Sequence, residues 1–188
     1  MRRSILILFV IGLLGAYAAA PAGAAEIEGV TFEDEISVDG TVLKLQGTAL
    51  LKHLVVIKAY LGALYLPKDI SAEKVLTDVP RALVLHYFHE IPAADFAKAT
   101  TKMIEKNVDK AEFEKLKPRI EQLNALYETV SPGDEYQAAY IPGVGTSLTL
   151  NGDELGVVPG ARFARAYFAI WLGENPISKS FRDRLMGR

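Results

Sequence analysis

Two stretches far apart in the chain share one pattern, and together they constrain the fold more than any other feature. From Val30 to Val38 apolar residues alternate with polar ones at Val30, Phe32, Ile36 and Val38; Asp39-Gly40 follows, and Leu43 and Leu45 resume the period of two. From Thr146 to Val158 the order repeats, with Leu148 and Leu150, then Asn151-Gly152, then Leu155 and Val157. Such alternation sets one face of an extended chain against a core, and Asp-Gly or Asn-Gly supplies the left-handed backbone of a tight hairpin turn. Both segments therefore read as antiparallel hairpins. Between them, Val55 to Leu66 and Arg81 to Phe88 are apolar at nearly every position, as strands covered on both faces are, so these are expected at the centre of the sheet.

Helical signals cluster in two blocks. Phe96, Thr100, Met103, Ile104 and Val108 recur at the spacing of one helix face behind Pro92, which suits a first helical turn. Phe113 and Leu116 precede Pro118, and Ile120, Leu123 and Tyr127 follow it, which predicts two short helices with the proline opening the second. Near the C-terminus Phe163, Tyr167, Ile170 and Trp171 form a further stripe ended by Gly173 and Pro176, and a last short helix from about Ser178 carries Phe181 and Leu185 inward. Hairpins interrupted by a block of helices specify an α+β layer fold, not the alternating order of a parallel doubly wound sheet. The expected architecture is an open-faced β-sandwich: an antiparallel sheet with helices packed on one face and a cleft between the layers, where apolar ligands bind.

The N-terminus has a different character. Arg2 and Arg3 precede an apolar run from Ile5 to Ala20, and the small residues Ala22-Gly23-Ala24-Ala25 follow before Glu26. Positive, apolar, then small is the order of a cleavable secretory leader, expected over residues 1–25, with the working domain at 26–188. A periplasmic or secreted location follows, with no stable membrane insertion after cleavage. Removing the leader leaves about 160 residues, enough for one domain with a real core. The chain has no cysteine, so that core holds without disulfides and no cysteine nucleophile exists. A formal net charge of −2 gives no basic surface for nucleic acid.

Two segments carry a resemblance. One runs from Leu45-Gln46-Gly47 through Lys52 to the K-x-Y-x-x-x-L-Y-L strand Lys58–Leu66; the other includes the turn Pro132-Gly133-Asp134 and the helix F-A-R-A-x-F-x-I-W-L-G, Phe163–Gly173. On these motifs the chain resembles the chalcone isomerase-like family, in its exported bacterial branch, over essentially the whole mature length. The resemblance implies the layered fold already read from periodicity. It also implies a choice of activities, because the family holds isomerases that close a chalcone to a flavanone and non-catalytic relatives, some of which bind fatty acids.

Position by position, the resemblance implies that the polar site of the isomerases has been replaced. Lys52 stands at the position of an arginine that steers the reacting anion; Phe96 replaces a tyrosine, Met103 an asparagine, Ala164 a hydroxylated residue and Val55 a threonine. An isomerase of this kind orients a flexible substrate and stabilises a developing enolate with donors, and losing those donors leaves a binding cleft. Lys52 facing inward would be a lone cation suited to a ligand's carboxylate or phenolate, with Tyr60, Tyr65 or Tyr87 adding a hydroxyl and His86 lining the cleft. The alternative is that Lys52 is solvated at a strand end and the tyrosines are half-buried sheet residues.

Other chemistry is not supported. His86 and His89 fall on opposite faces of a continuing strand, without a third ligand nearby, so no metal is expected. Gly143-Val144-Gly145 lies in a β-turn region and opens no helix, so no nucleotide is expected and no cofactor is implied. Lys106, Lys110, Lys115, Lys117 and Arg119, interleaved with glutamates, read as a solvated helix face. Three functions remain: a carrier of a small amphipathic ligand such as a fatty acid, an intramolecular lyase acting on a phenolic or enone substrate, and a partner-binding domain with a filled cleft. Loss of the donor residues favours the first.

Overall fold

The computed structural model describes residues 24–53 and 57–188, and side chains over 25–52 and 58–188. The expected leader, as far as residue 23, and Val55 lie outside these residues. The described strands are β1 (Ala24–Ile27), β2 (Val30–Glu33), β3 (Glu35–Val38), β4 (Thr41–His53), β5 (Ile57–Leu66), β6 (Arg81–Tyr87), β7 (Glu135–Ile141), β8 (Gly145–Leu150) and β9 (Asp153–Val158). The helices are α1 (Ala93–Asn107), α2 (Lys110–Asn124), α3 (Ala161–Leu172) and α4 (Lys179–Leu185).

Strands β3 to β9 form one seven-stranded sheet in chain order, every pair antiparallel. The hairpins form at the expected places: Asp39 and Gly40 have φ of 46° and 73°, and Asn151 and Gly152 have 53° and 89°, left-handed values that these residue types tolerate. The order puts β6 in the middle, and six of its seven residues are buried, as a strand covered on both faces requires.

The segment read as one strand from Val30 to Val38 changes partners at Asp34. Its first part, β2, pairs with β1 in a separate two-stranded ribbon, and its second part, β3, pairs with β4. The alternation survives the break, because Phe32 and Val38 both reach the same small core with Leu43, Leu61, Ala63, Tyr65, Ala82 and Val84. This core lies on the sheet face away from the helices. The larger core lies on the other face, where residues of β5 to β9 meet all four helices.

Pro118 sits inside α2 and does not open a second helix. A proline lacks the N–H that would bond the carbonyl four residues back, here that of Glu114. Both residues are exposed, so water can take that carbonyl. Leu116, Ile120 and Leu123, all buried, hold the helix against the core on either side of the defect.

Two close packings fix the layers. A Cβ at Gly47 would lie 2.5 Å from the Arg184 carbonyl oxygen and 2.8 Å from that of Leu185, so only glycine lets α4 approach β4 this closely. Arg81, fully buried at the start of β6, has its guanidinium 4.6 Å from the Tyr140 ring and 4.7 Å from the Phe168 ring, and donates from Nη1 to the Thr77 and Val79 carbonyls at 2.8 and 3.0 Å. Burial lowers its pKa to about 10, so it stays charged at neutral pH and ties the β5–β6 connection to the core.

Candidate functional site

Between the helices and the sheet lies a cavity of about 600 Å³, within the roughly 300–1,000 Å³ range of small-molecule sites. Alternation builds its floor. Tyr60, Leu83, Leu85, Tyr87, Tyr136 and Ala138 project from β5, β6 and β7 on the helix side, one strand residue in two. The roof follows helical spacing: Phe96, Ala99, Thr100 and Met103 from α1, and Tyr167, Ile170 and Trp171 from α3. Tyr127, just after α2, closes one side. Asp95, Ala99 and Ile177 are exposed and mark the mouth, whereas Tyr60, Tyr87 and Tyr167 are buried at its inner end.

The inner end is a cluster of phenols. Tyr87 packs 5.5 Å from Tyr60, 5.4 Å from Phe96 and 6.1 Å from Tyr136, ring centre to ring centre, in tilted or edge-on contacts. Phe96 stacks on Tyr127 at 5.4 Å. Such contacts hold rings apart by about 4.5–7 Å and leave volume between them.

A hydrogen-bond account separates the occupied hydroxyls from the available ones. Tyr136 is fully used, accepting from the Glu128 N–H at 2.7 Å and donating to the Glu128 carbonyl at 2.9 Å. Tyr127 shares a 2.8 Å bond with Thr100 and donates to the Tyr167 hydroxyl at 3.3 Å. Tyr60 accepts from the Trp171 indole N–H at 3.0 Å. Tyr60 and Tyr167 thus each keep an O–H hydrogen with no acceptor among the described residues, and Tyr87 makes no hydrogen bond among them. Burial raises the pKa of Tyr127 to about 12 and those of Tyr60, Tyr87 and Tyr167 upward. These phenols are therefore neutral donors at physiological pH and cannot serve as bases.

Of the residues singled out from sequence, Tyr60, Tyr87, Phe96 and Met103 line the cavity. Lys52, Tyr65 and His86 do not. Lys52 is exposed and pairs across the β4–β5 ladder with Lys58, whose Nζ bonds Glu28 at 2.5 Å on the ribbon side of the sheet; both lysines hold the Glu28 carboxyl below its usual pKa. Tyr65 is buried under the ribbon and donates to the Glu33 carbonyl at 2.9 Å. His86 faces Phe88 edge-on at 5.6 Å on that same far side, where partial burial lowers its pKa. An anionic head group therefore has no cation in this cavity: among the described residues neither lysine nor arginine lines it. Ala164 is buried in α3 but does not line the cavity.

The sequence reading missed Thr100, Tyr127, Tyr136, Tyr167 and Trp171 as site residues. Four of them belonged to stripes already read as helical core, and the stripe itself was the signal, since the residues facing a core also face any space within it.

A meander sheet roofed by helices, with a mostly apolar, aromatic-rich cavity between, defines a layered α+β fold. The sequence profile of the chalcone isomerase-like family matches residues 24–187, and the chain belongs to that family. Among solved structures it is similar to a fatty-acid binding protein of Arabidopsis thaliana, with a TM-score of 0.69 and 14% identity, over 87% of this chain and 95% of that one. At that identity the likeness concerns the fold. Among functionally curated proteins, none matches the sequence significantly.

Proposed function

We propose that the chain is an exported, non-catalytic carrier that holds a small amphipathic molecule, of the fatty-acid kind, between sheet and helices. The cavity carries the reading: about 600 Å³ of mostly apolar and aromatic lining, with a few hydroxyls gathered at the buried end. An alkyl chain placed there gains about 0.8 kcal/mol per buried methylene, and the hydroxyls orient one polar end. The similar Arabidopsis thaliana structure is that of a fatty-acid binding protein, which supports the ligand class. Trp171 is the one tryptophan of the chain and lines the cavity, so its emission reports occupancy directly. Saturable change in that emission on adding a long-chain lipid, abolished by filling the cavity, is the expected result. Unchanged emission with every lipid class, together with ligand-free protein in native mass spectrometry, would sink the carrier reading.

A second reading, intramolecular lyase chemistry of the chalcone isomerase type, draws on the same hydroxyls, which could polarise an enone carbonyl. Against it stand the absence, among the described residues, of a lining cation to steer a phenolate and the raised tyrosine pKa values. Conversion of a 2′-hydroxychalcone faster than in buffer, lost in Tyr87→Phe, would favour this reading over the carrier.

Export rests on the N-terminal order of charged, apolar and small residues. Ala24 and Ala25 pair with Glu33 and Phe32, so cleavage after Ala25 leaves Glu26 and Ile27 to hold β1. Mature protein beginning at Glu26 is expected from N-terminal sequencing; protein beginning at Met1 in the cell would refute export by this route.

A further inference from the structure

We infer that the cavity takes its ligand uncharged, and that the head group it fits is a neutral hydrogen-bond acceptor, a ketone, aldehyde or ester carbonyl, held by the hydroxyls of Tyr60, Tyr87 and Tyr167. The inference rests on the carrier reading of this cavity and names its substrate class.

Every free polar group of the inner end is a hydroxyl with a hydrogen to give. Tyr60 and Tyr167 already accept a bond each, from Trp171 and Tyr127, and each still has its hydrogen to give. Tyr87 sits among the rings of Tyr60, Phe96 and Tyr136 without a hydrogen-bond partner among the described residues. The three side chains form a connected group: Tyr60 lies 5.5 Å from Tyr87 ring to ring, its oxygen is 3.0 Å from the Trp171 nitrogen, and the Trp171 ring is 5.3 Å from that of Tyr167. Buried donors without acceptors are costly, so the complementary ligand brings an acceptor. A carbonyl oxygen, with two lone pairs, is the simplest group that satisfies two of them at once.

Charge decides against the ionised acid. The titratable groups facing this end are Tyr60 on β5, Tyr87 on β6, Tyr136 on β7, Tyr127 after α2 and Tyr167 on α3, with Asp95 of α1 at the mouth. All but the last are phenols kept neutral by burial, and Asp95 would repel an anion. Among the described residues the buried cation is Arg81, which lies at the other end of β6 from Tyr87, about 20 Å along the strand at the usual rise, and is enclosed by Tyr140 and Phe168. Burying a carboxylate without a cation raises its pKa by as much as 3–5 units, and hydrogen bonds to it recover part of that. A net rise of about two units remains, which makes the ionised acid bind about 100-fold more weakly than the protonated one.

The test uses three probes of equal chain length, dodecanoic acid, methyl dodecanoate and 2-tridecanone, titrated against the mature protein at pH 4 and pH 8 with Trp171 emission as the readout. The expected result is binding of ester and ketone at both pH values and binding of the acid about 100-fold weaker at pH 8 than at pH 4. Constant binding of the ester also shows that the fold survives the acid condition. In Tyr87→Phe, which keeps the ring and removes a hydroxyl that holds nothing else, ketone affinity falls about 3- to 10-fold. Acid that binds at pH 8 as tightly as the ester overturns the inference and leaves the carrier reading standing. Failure of all three probes removes the carrier reading, and the inference with it.

Discussion

Replacing Ala138 with leucine separates an open cavity from a filled core by the sign of one number. Ala138 is nearly buried on the helix face of β7, flanked in register by Leu83 of β6 and Leu148 of β8, and lines the cavity floor. Leucine adds three carbons that would project into the space. At about 0.8 kcal/mol per buried carbon the gain is about 2.4 kcal/mol, and fixing the longer side chain costs about 0.5–1 kcal/mol. Ala138→Leu should therefore stabilise the ligand-free protein by about 1.5–2 kcal/mol, a rise in Tm of about 3–8 °C for a domain of this size. The same side chain occupies ligand volume, so lipid binding read by Trp171 emission should weaken sharply while the fold grows firmer. Calorimetry on delipidated protein and a titration on the same sample measure both. If the space were already filled, overpacking would cost about 1–3 kcal/mol instead, and a fall in Tm with unchanged ligand binding would refute the cavity argument.

Three other perturbations test the supports of the site. Gly47→Ala sets a methyl 2.5 Å from the Arg184 carbonyl oxygen, so α4 must shift; chemical denaturation should show a loss of about 1–3 kcal/mol, and wild-type stability would disprove the close packing. Tyr60→Phe removes the acceptor of the buried Trp171 N–H, which should cost about 1–3 kcal/mol, and a Tm within error of wild type would mean the indole is satisfied elsewhere. Asp134 accepts from Ser131 N–H at 2.6 Å and Asn151 Nδ2 at 2.9 Å, which lowers its pKa in the folded protein. Its stabilisation is present above the unfolded value of about 4 and is lost as pH falls through the folded value. Asp134→Asn should thus be less stable than wild type at pH 7 and converge with it in strong acid; a difference that does not shrink in acid would show that the carboxylate charge plays no part.

How far the site could be read from sequence depended on which local rule survived tertiary structure. The two hairpins were legible because Asp39-Gly40 and Asn151-Gly152 take left-handed backbone that few residues accept. The helices were legible by their stripes, except at Pro118, where exposure of the freed carbonyl let α2 run on. Lys52 was lost to a bulge. Leu43 and Leu45 face the ribbon, and strict alternation from them would aim Lys52 at the helices, but the register shifts between Leu45 and Gly47. Beyond the shift Ala49 and Leu51 face the helices, and Lys52 falls on the other side with Lys58. Tyr65 and His86 were separable in principle, since Tyr65 is an odd number of positions from Tyr60 and His86 adjoins Tyr87. Alternation divides such pairs between faces; only the packing of the helices says which face holds the cavity.

That packing also explains why the space stays open. Helix α1 buries Thr100 and Ile104, much less than α3, nine of whose twelve residues are buried. Besides the packing of Ile104, Phe96 and Met103 against the core, polar bonds tie it along its sides and ends. Thr100 bonds Tyr127 at 2.8 Å, Thr101 receives Asn124 Nδ2 at 3.0 Å, Asn107 Nδ2 donates to the Asn175 carbonyl at 3.1 Å, and the Ala93 N–H donates to Thr129 at 3.3 Å. Directional bonds fix distance in a way that apolar contact does not. Phe96 and Met103, placed on the underside of a helix held in this way, can face a space they do not collapse into. Phe96 and Met103 thus bring no hydrogen-bonding group into the cavity, while the same helix is tied through Thr100, Thr101, Asn107 and the Ala93 N–H, which set the height of the roof.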